Sequence, residues 1–396
     1  MSSLLRQSVA LSRANIKSLG RRKWISLSMV MSVALVVTVL LGFLAMSNGF
    51  RTTLSGAGSD DVAIVLGSGA ATELGSQIET AQRHLISALP GIATTAAGKP
   101  IISPELVVPV DATVKTSGLS ETLSLRGVGD MGMAVRPTVT LRAGRMFTPG
   151  AAELVVGQRL AQDYAGLALG DRITFGASEW SVVGILDAGG SAQDSEMLAD
   201  ADVVRSLFNR PGLVQSLRLR LTDAAALQPL VTAAAQAPIS LPVTSEKAFF
   251  AAMAEGTSRL ILFLGWPLAI IMAAGAVIGA MTTMYSSVSD RITEIATVRT
   301  IGFSRTAAFI GTWVEAMVLT AIGSAIGVGV SWVVLDGWTA STTGADQMQI
   351  GFQLALSLPL ILQAVGLSMV IGAIGGGLPA LHATRVPLRL AMTGQA

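Results

Sequence analysis

The chain has 396 residues, of which 51% are hydrophobic and only 13% are charged. About 25% of the residues of an ordinary soluble protein are charged, so this composition indicates a membrane protein. The formal net charge of +2 gives no basic field for nucleic acid, and the lack of cysteine excludes disulfides, thiol catalysis and thiolate metal sites.

A basic segment over residues 1–23 is the first predicted element. Its charged residues are all basic: Arg6, Arg13, Lys17, Arg21, Arg22 and Lys23. Basic residues on an amphipathic helix favour a membrane surface. The uncharged run over 24–48 is longer than the roughly 20 residues that a helix needs to cross a bilayer, so it is predicted to be the first transmembrane helix.

Residues 49–258 differ from the rest of the chain because charged residues return and Gly and Pro occur at turn-like spacing. Apolar periodicity of about 3.6 residues predicts a helix over 74–89. Apolar alternation predicts strands at 61–66, 107–114, 121–128 and 153–156, and a hairpin over 172–186 around Gly176. We therefore expect an α+β domain inserted between transmembrane helices 1 and 2.

Three further apolar runs, over 259–284, 309–335 and 352–378, predict the second, third and fourth transmembrane helices. Each carries a Gly-x-x-x-Gly spacing, which lets helix backbones approach closely. The six glycines are Gly275, Gly279, Gly323, Gly327, Gly372 and Gly376. They predict close helix packing, either within one bundle or in a dimer.

The distribution of basic residues predicts the orientation of the chain. Arg291, Arg299 and Arg305 lie in the segment 285–308, and Arg385 and Arg389 lie in the tail 379–396. The connector 336–351 has acidic residues but no Lys or Arg. By the positive-inside rule, both termini and the segment 285–308 are cytoplasmic, the connector is a short external loop, and the large domain is extracytoplasmic.

The segment 285–308 is predicted to contain an amphipathic helix, since Ile292, Ile295 and Val298 recur every three residues. Gly302 is a helix stop signal, and Ser304 is placed to cap the next helix. The pattern alone allows two interpretations, a connector at the membrane surface and a docking surface for a cytoplasmic motor.

The run from Asp290 to Arg305 resembles the segment of MacB/FtsX-like ABC transporter permeases that contacts the ATP-binding subunits. The stretches 141–147, 155–161 and 170–186 resemble the extracytoplasmic domain of MacB-like permeases, and the tail from Pro379 resembles the family's ending. The resemblance implies that the ATPase-coupling residues are Asp290, Arg291, Glu294, Ile295, Val298, Arg299, Gly302 and Ser304.

The resemblance also bears on Glu315, an acidic residue inside the third predicted span. An ionised side chain there costs up to roughly 3 kcal/mol at the membrane centre and needs a partner or water. The family carries an acidic residue at this position. A structural role near the cytoplasmic boundary is therefore favoured over ion conduction.

The function that the resemblance implies is that of a permease subunit in the bacterial inner membrane. It would transmit ATP-driven motion to the extracytoplasmic domain for the export of a periplasmic or membrane-derived substrate. ATP and Mg²⁺ would be bound by a partner ATPase, with no cofactor in this chain. Further implied partners are the lipid bilayer, a second permease copy forming a homodimer or a related heterodimer, a periplasmic adaptor and an outer-membrane channel.

Motifs for independent chemistry are missing from the sequence. The one Gly-Lys pair, Gly98-Lys99, precedes Pro100 and lies in no phosphate-binding loop pattern. His84 and His382 are interpreted as ordinary polar residues, so no catalytic or metal site is predicted. Six carboxylates are interpreted as solvated loop groups rather than a cation site: Asp60, Asp61, Asp194, Glu196, Asp200 and Asp202.

Two other functions remain open at this stage. The first is a membrane-anchored receptor or scaffold that regulates envelope proteins without transport. The second is a polytopic enzyme, which the missing catalytic motifs disfavour. An ATPase that copurifies with the chain would separate the permease from both.

Overall fold

The computed structural model describes residues 2–18, 23–236, 238–343 and 349–385. The basic residues Arg21 and Arg22, and the part of the predicted tail over 386–396 that includes Arg389, lie outside the described residues. The chain divides into two compact units. The helical unit comprises Met1–Asn48, Leu260–Trp338 and Leu354–Ala396, and the sheet unit comprises Gly49–Arg259 and Thr339–Gln353.

Four of the described helices are long and apolar enough to cross a membrane, namely the second, seventh, ninth and tenth in the order below. The eighth is short and follows the second of these four. The helices are α1 (Ser2–Ser18), α2 (Lys23–Ser55), α3 (Thr80–Ser87), α4 (Gln158–Asp163), α5 (Ala201–Leu207), α6 (Leu227–Ala234), α7 (Glu246–Ser289), α8 (Ile292–Thr300), α9 (Arg305–Leu335) and α10 (Leu358–Arg385).

Between α2 and α7 the described chain forms ten strands, and two more lie between α9 and α10. The strands are β1 (Val62–Leu66), β2 (Ile102–Thr113), β3 (Ser120–Val128), β4 (Thr140–Gly144), β5 (Glu153–Gly157), β6 (Arg172–Phe175), β7 (Ser178–Asp187), β8 (Glu196–Asp200), β9 (Ser216–Arg220), β10 (Val243–Ser245), β11 (Thr339–Thr343) and β12 (Gln349–Gln353).

The first ten strands form one mixed sheet in the order β10-β1-β9-β2-β3-β8-β5-β7-β4, with β6 paired to β7. The pairs β3–β8 and β5–β7 are parallel, whereas the other pairs are antiparallel. The predicted hairpin around Gly176 is confirmed, since β6 and β7 pair from Arg172 opposite Ser181 to Phe175 opposite Ser178.

Buried apolar side chains form separate clusters on the sheet. One cluster contains Trp180 and Leu125, both of which are fully buried. Another contains Leu217 and Leu230. Burial of large apolar side chains supplies most of the favourable free energy of such a domain. The alternation of apolar residues along these strands therefore has a direct structural cause.

The predicted helix over 74–89 is wrong in its first half, because the described helix α3 begins only at Thr80. The Gly67 N–H donates to Ser76 Oγ at 2.7 Å, and the Ile78 N–H donates to the carbonyl oxygen of Val214 at 2.8 Å. The Glu79 N–H donates to Gln82 Oε1 at 3.1 Å, as expected at a helix start. These bonds hold the residues before α3 in a turn. Hydrophobic periodicity does not reveal such polar contacts.

The boundary of the fourth predicted span also differs. Phe352, which hydropathy assigns to that span, lies in β12, and α10 begins at Leu358. β11 and β12 pair antiparallel within the predicted external loop. Phe352 is fully buried and packs edge-to-face on Phe50, with ring centroids 5.5 Å apart. An apolar strand that adjoins a span adds to the same hydropathy run, so composition alone does not separate them.

In the helical unit, apolar faces of α2, α7 and α10 meet in one core. Leu40 and Leu41 of α2 pack with Ala273 of α7 and Ile371 of α10. Small and branched apolar side chains fill such an interface closely, and close packing stabilises helices that share an apolar environment. Apolar side chains such as Leu260 and Phe263 remain exposed on α7, as expected for a surface in contact with lipid.

Candidate coupling site

The segment between α7 and α9 contains the short helix α8 that the sequence predicts. Gly302 follows it with a φ of +112°, a conformation that favours glycine. The hydroxyl of Ser304 accepts a hydrogen bond from the Ala307 N–H at 3.1 Å and caps α9. The predicted stop and cap are therefore confirmed as local structure.

Arg291 connects α8 to two other helices. Its Nη1 donates to Glu315 Oε2 of α9 at 3.2 Å, and its Nε donates to Glu294 Oε2 at 3.1 Å. Its Nη2 donates to Asn15 Oδ1 of α1. The Arg291 side chain is only 11% exposed. Its charge is therefore directed into the helical unit, and Glu315 has the partner that an acidic residue in a span requires.

The outward face of the segment contains other side chains. The Glu294 side chain is 70% exposed. Ile301 is 75% exposed, although it continues the spacing of Ile292, Ile295 and Val298. A helix has 3.6 residues per turn, so a residue nine positions after Ile292 lies on the opposite side. Ile301 is an exposed apolar group that the sequence interpretation missed.

The apolar face of α8 lies against a small cavity in the helical unit. The cavity has a volume of about 130 Å³, and its lining includes Ile295 and Val298 of α8, Leu11 of α1 and Ala308 of α9. Ile295 and Val298 are half-buried, whereas Ala296 is buried. The two predicted apolar residues therefore face other helices of the same unit, as the periodicity suggests.

The helix α1 also contacts the start of α9. The Ser304 N–H donates to Gln7 Oε1 at 3.2 Å. Together with the bond from Arg291 to Asn15, this contact holds α1 at two points against residues 285–308, which we call the coupling segment. Asp290 is exposed and Arg299 is half-buried. Burial and the nearby charge of Arg305 lower the pKa of Arg299 from its ordinary value.

The six predicted packing glycines divide into two groups. A Cβ atom on Gly323 or Gly327 would lie 2.7 Å from backbone oxygens of α2, and one on Gly372 or Gly376 would lie 2.3 Å from side chains of α9. Gly275 and Gly279 meet no other atom within 4 Å among the described residues. Four of the six therefore allow close helix contacts within this chain.

A cluster of buried charges in the sheet unit was not anticipated. Arg126 donates to Glu73 Oε2 at 2.8 Å, to Glu105 Oε2 at 3.2 Å and to Glu196 Oε1 at 2.9 Å. Glu105 also accepts from Arg136 at 2.8 Å, and Arg218 lies 3.2 Å from it. A buried charge is tolerated only when it is paired and hydrogen-bonded.

Arginine partners lower the pKa of two carboxylates of this cluster, Glu73 and Glu105. Burial alone would raise the pKa of Glu73, but the adjacent Arg126 holds that pKa well below its usual range. Burial alone would also raise the pKa of Glu105, but Arg136 and Arg218 lower it to about 2. The only signal of this cluster in the sequence is a charged residue inside an apolar strand. Such a residue is normally interpreted as facing solvent.

Two carboxylates that the sequence places in solvated loops are held by the fold. Glu196 bonds to Arg126 as described above. Asp194 is buried, and its Oδ1 accepts from the Ala188 N–H at 2.7 Å. Their interpretation as solvated groups is therefore wrong, since ion pairing and backbone hydrogen bonds compensate for their burial.

Two family models match the chain. The model described as "MacB-like periplasmic core domain" matches residues 26–237, and the model described as "FtsX-like permease C-terminal" matches residues 267–388. The first match alone covers more than half of the 396 residues.

Curated relatives have modest identity to this chain. The "Macrolide export ATP-binding/permease protein MacB" of Rhodopseudomonas palustris (strain HaA2) is 28% identical over 300 residues, which are 70% of this chain and 44% of the relative. The "Pyoverdine export ATP-binding/permease protein PvdT" of Pseudomonas entomophila is 27% identical over 262 residues, which are 62% of this chain and 38% of the relative. The chain thus spans less than half the length of these relatives.

Two solved structures also align with about half of this chain. The periplasmic region of MacB from Actinobacillus actinomycetemcomitans aligns with 49% of this chain and 92% of its own, at 15% identity and a TM-score of 0.36. The extracellular domain of the ABC-type transporter YknZ from Gram-positive bacteria aligns with 46% of this chain and 99% of its own, at 14% identity and a TM-score of 0.33.

Proposed function

Because the chain belongs to the MacB/FtsX-like family of ABC transporter permeases, we propose that it is the membrane subunit of an export system driven by a cytoplasmic ATPase. The observation that carries this proposal is the exposed face of the coupling segment. Glu294 and Ile301 together offer a charge and an apolar group to a partner. Protein interfaces combine an apolar core with a polar rim.

The ATPase in this proposal binds ATP and Mg²⁺ outside these 396 residues, which contain no phosphate-binding loop pattern. Its closure moves the coupling segment, and the movement is transmitted to an extracytoplasmic α+β domain formed by residues between the first and second spans. The bonds of Arg291 to α1 and α9 support transmission from α8 to neighbouring helices. Residues of α7 belong to both units, which makes α7 a candidate route.

The proposed substrate class is a periplasmic or membrane-derived molecule. The curated relatives carry names that refer to export of a macrolide and of pyoverdine. We propose by analogy that a second permease copy, a periplasmic adaptor and an outer-membrane channel complete the system. The lipid bilayer is the remaining partner, with the bacterial inner membrane as the location.

The proposed orientation has cytoplasmic termini and an external sheet unit. Single cysteines at Ser117 of the sheet unit and at Thr293 of α8 test it, because the natural chain contains no cysteine. A membrane-impermeant maleimide applied to spheroplasts should label Ser117→Cys and leave Thr293→Cys unlabelled until the membrane is opened. Labelling of Thr293→Cys in intact spheroplasts would contradict the orientation.

Copurification tests the proposed function itself. The tagged chain should copurify with a protein that carries a phosphate-binding loop, and reconstitution of the two should raise ATP turnover above that of the ATPase alone. An ATPase without affinity for the chain and without stimulation would contradict the proposal. The receptor or scaffold without transport would then be the better interpretation.

A further inference from the structure

A small cavity in the sheet unit adjoins the buried charge cluster. Its lining includes the charged residues Arg126 and Glu196 and the apolar residues Phe250, Met253 and Ile350. The space inside it that is available to water-sized groups is about 50 Å³. One water needs about 10–15 Å³ of such space, so the cavity admits a few groups of that size.

The charges at the cavity favour a cation over an anion. Arg126 is the one described guanidinium in the lining, and its Nε, Nη1 and Nη2 all donate to carboxylates. It therefore has no free donor for an anionic ligand. Two carboxylates, those of Glu73 and Glu196, line the same cavity. The lining thus has more negative than positive charge.

Two oxygens of lining residues are without hydrogen-bond partners among the residues that the structure describes. They are Ser195 Oγ and Glu196 Oε2. Ser195 is only 4% exposed. Leaving a buried polar group without a partner costs about 1–3 kcal/mol, so such groups normally mark a bound water, ion or ligand. Both oxygens accept hydrogen bonds, and a ligand with several N–H donors would satisfy them.

The remaining walls are suited to hydrocarbon. Phe250 is buried, and Met253 and Ile350 are half-buried, which places them nearer the open side. A ligand that presents only a charge would leave this apolar surface without a partner. A ligand that combines a compact cationic head with an aliphatic chain would use both parts of the cavity.

We propose that this cavity binds the ammonium group of a small aliphatic amine. The ammonium group donates to Glu196 Oε2 and Ser195 Oγ, while its aliphatic chain packs against Met253 and Ile350. The inference rests on the sheet unit alone and is independent of the ATPase coupling proposed above. An amine site that binds without any ATPase would therefore stand even if that coupling failed.

Calorimetry with the full chain in phosphatidylcholine nanodiscs tests the site, with empty nanodiscs as the blank. The probe is n-butylammonium, and n-butanol and butyrate have the same chain length with a neutral and an anionic head. We expect saturable binding of n-butylammonium that is at least about tenfold tighter than binding of n-butanol. Hydrogen bonds to charged groups are more stabilising than hydrogen bonds to neutral groups, by a free energy that corresponds to about this factor. Butyrate should not bind.

Substitutions in the lining test whether n-butylammonium binds in this cavity. Ser195→Ala removes one oxygen without touching the ion pairs, and Glu196→Gln removes the charge; each should weaken n-butylammonium binding by about tenfold. Glu179→Gln is the matched control, because Glu179 is exposed and lies 3.5 Å from Arg172 on β6. It should bind like the wild-type chain.

Three results would overturn the proposal. The first is an absence of saturable binding, which would leave a water-filled cavity. The second is equal binding of n-butanol or of Na⁺, because the ammonium head and the aliphatic chain would then not act together. The third is unchanged affinity in both Ser195→Ala and Glu196→Gln.

Discussion

Arg291 donates a hydrogen bond to Glu315 over 3.2 Å, although the two residues are 24 positions apart in sequence. The side chains are 11% and 4% exposed. The pair joins the residue that precedes α8 to the interior of α9. It therefore gives the coupling segment a fixed attachment to a transmembrane helix.

Reversal of the charge at Arg291 should damage the permease itself. Arg291→Glu places two carboxylates together in a buried site, and breaking a buried ion pair costs about 3–5 kcal/mol. We expect a lower midpoint of thermal unfolding in nanodiscs, with partial recovery in the double variant Arg291→Glu, Glu315→Arg. Arg13→Glu, at an exposed position of α1, is the control. An unchanged midpoint in Arg291→Glu would contradict the structural role of this pair.

Substitution of the packing glycines should separate the two groups described above. Gly372→Leu forces a side chain against Thr320, where even a Cβ would lie 2.3 Å from Oγ1. Overpacking of this kind costs about 1–3 kcal/mol or more. Gly275→Leu meets open space in the described chain and should leave the unfolding midpoint of the monomeric, detergent-solubilised protein unchanged. Equal destabilisation by both would contradict the helix contacts.

The stability of the sheet unit should depend more on Val182 than on Val183. Val182 is 2% exposed beside the fully buried Trp180, whereas Val183 is half-buried. Val182→Asp places a charge in the apolar cluster without a partner, which should unfold the unit and remove its resistance to limited proteolysis. Val183→Asp should have the smaller effect. The reverse order would show that the strand register of β7 is wrong.

Acid should destabilise the sheet unit through the buried cluster. The pKa of Glu105 falls from 4.5 to about 2 in the folded protein because of its arginine partners. A lowered folded pKa contributes stability above the unfolded value, and that contribution is lost as pH falls from about 4.5 towards 2. The unfolding midpoint should therefore decline across this window in the wild-type chain. A flat profile there would contradict ionised, paired Glu105.

Sequence reasoning found the elements whose causes are local. The apolar runs predicted the four long helices, and the residues Gly302 and Ser304 predicted the stop and cap around α8, since each depends on residues within one or two turns. Alternation likewise located β6 and β7. These features need no knowledge of distant contacts.

Contacts between distant residues were beyond the sequence. The family resemblance places Arg291 among the ATPase-coupling residues, but Asn15 and Glu315 draw it inward from two other helices. The ion pairs of Arg126 likewise join residues from separate strands and turns of one sheet. Such pairings depend on the tertiary arrangement, and a single sequence carries no covariation to identify them.

The most direct test of the account compares the ATPase that copurifies with two matched variants, and its turnover, at equal permease expression. Ile301→Glu places a charge on the exposed coupling surface, and Leu119→Glu makes the same change at a residue of the sheet unit that is 65% exposed. Loss of a central apolar contact costs about 2 kcal/mol or more, which corresponds to roughly thirtyfold weaker association. We predict this loss, with loss of stimulated turnover, for Ile301→Glu alone. Wild-type association and turnover in Ile301→Glu would contradict coupling through this segment.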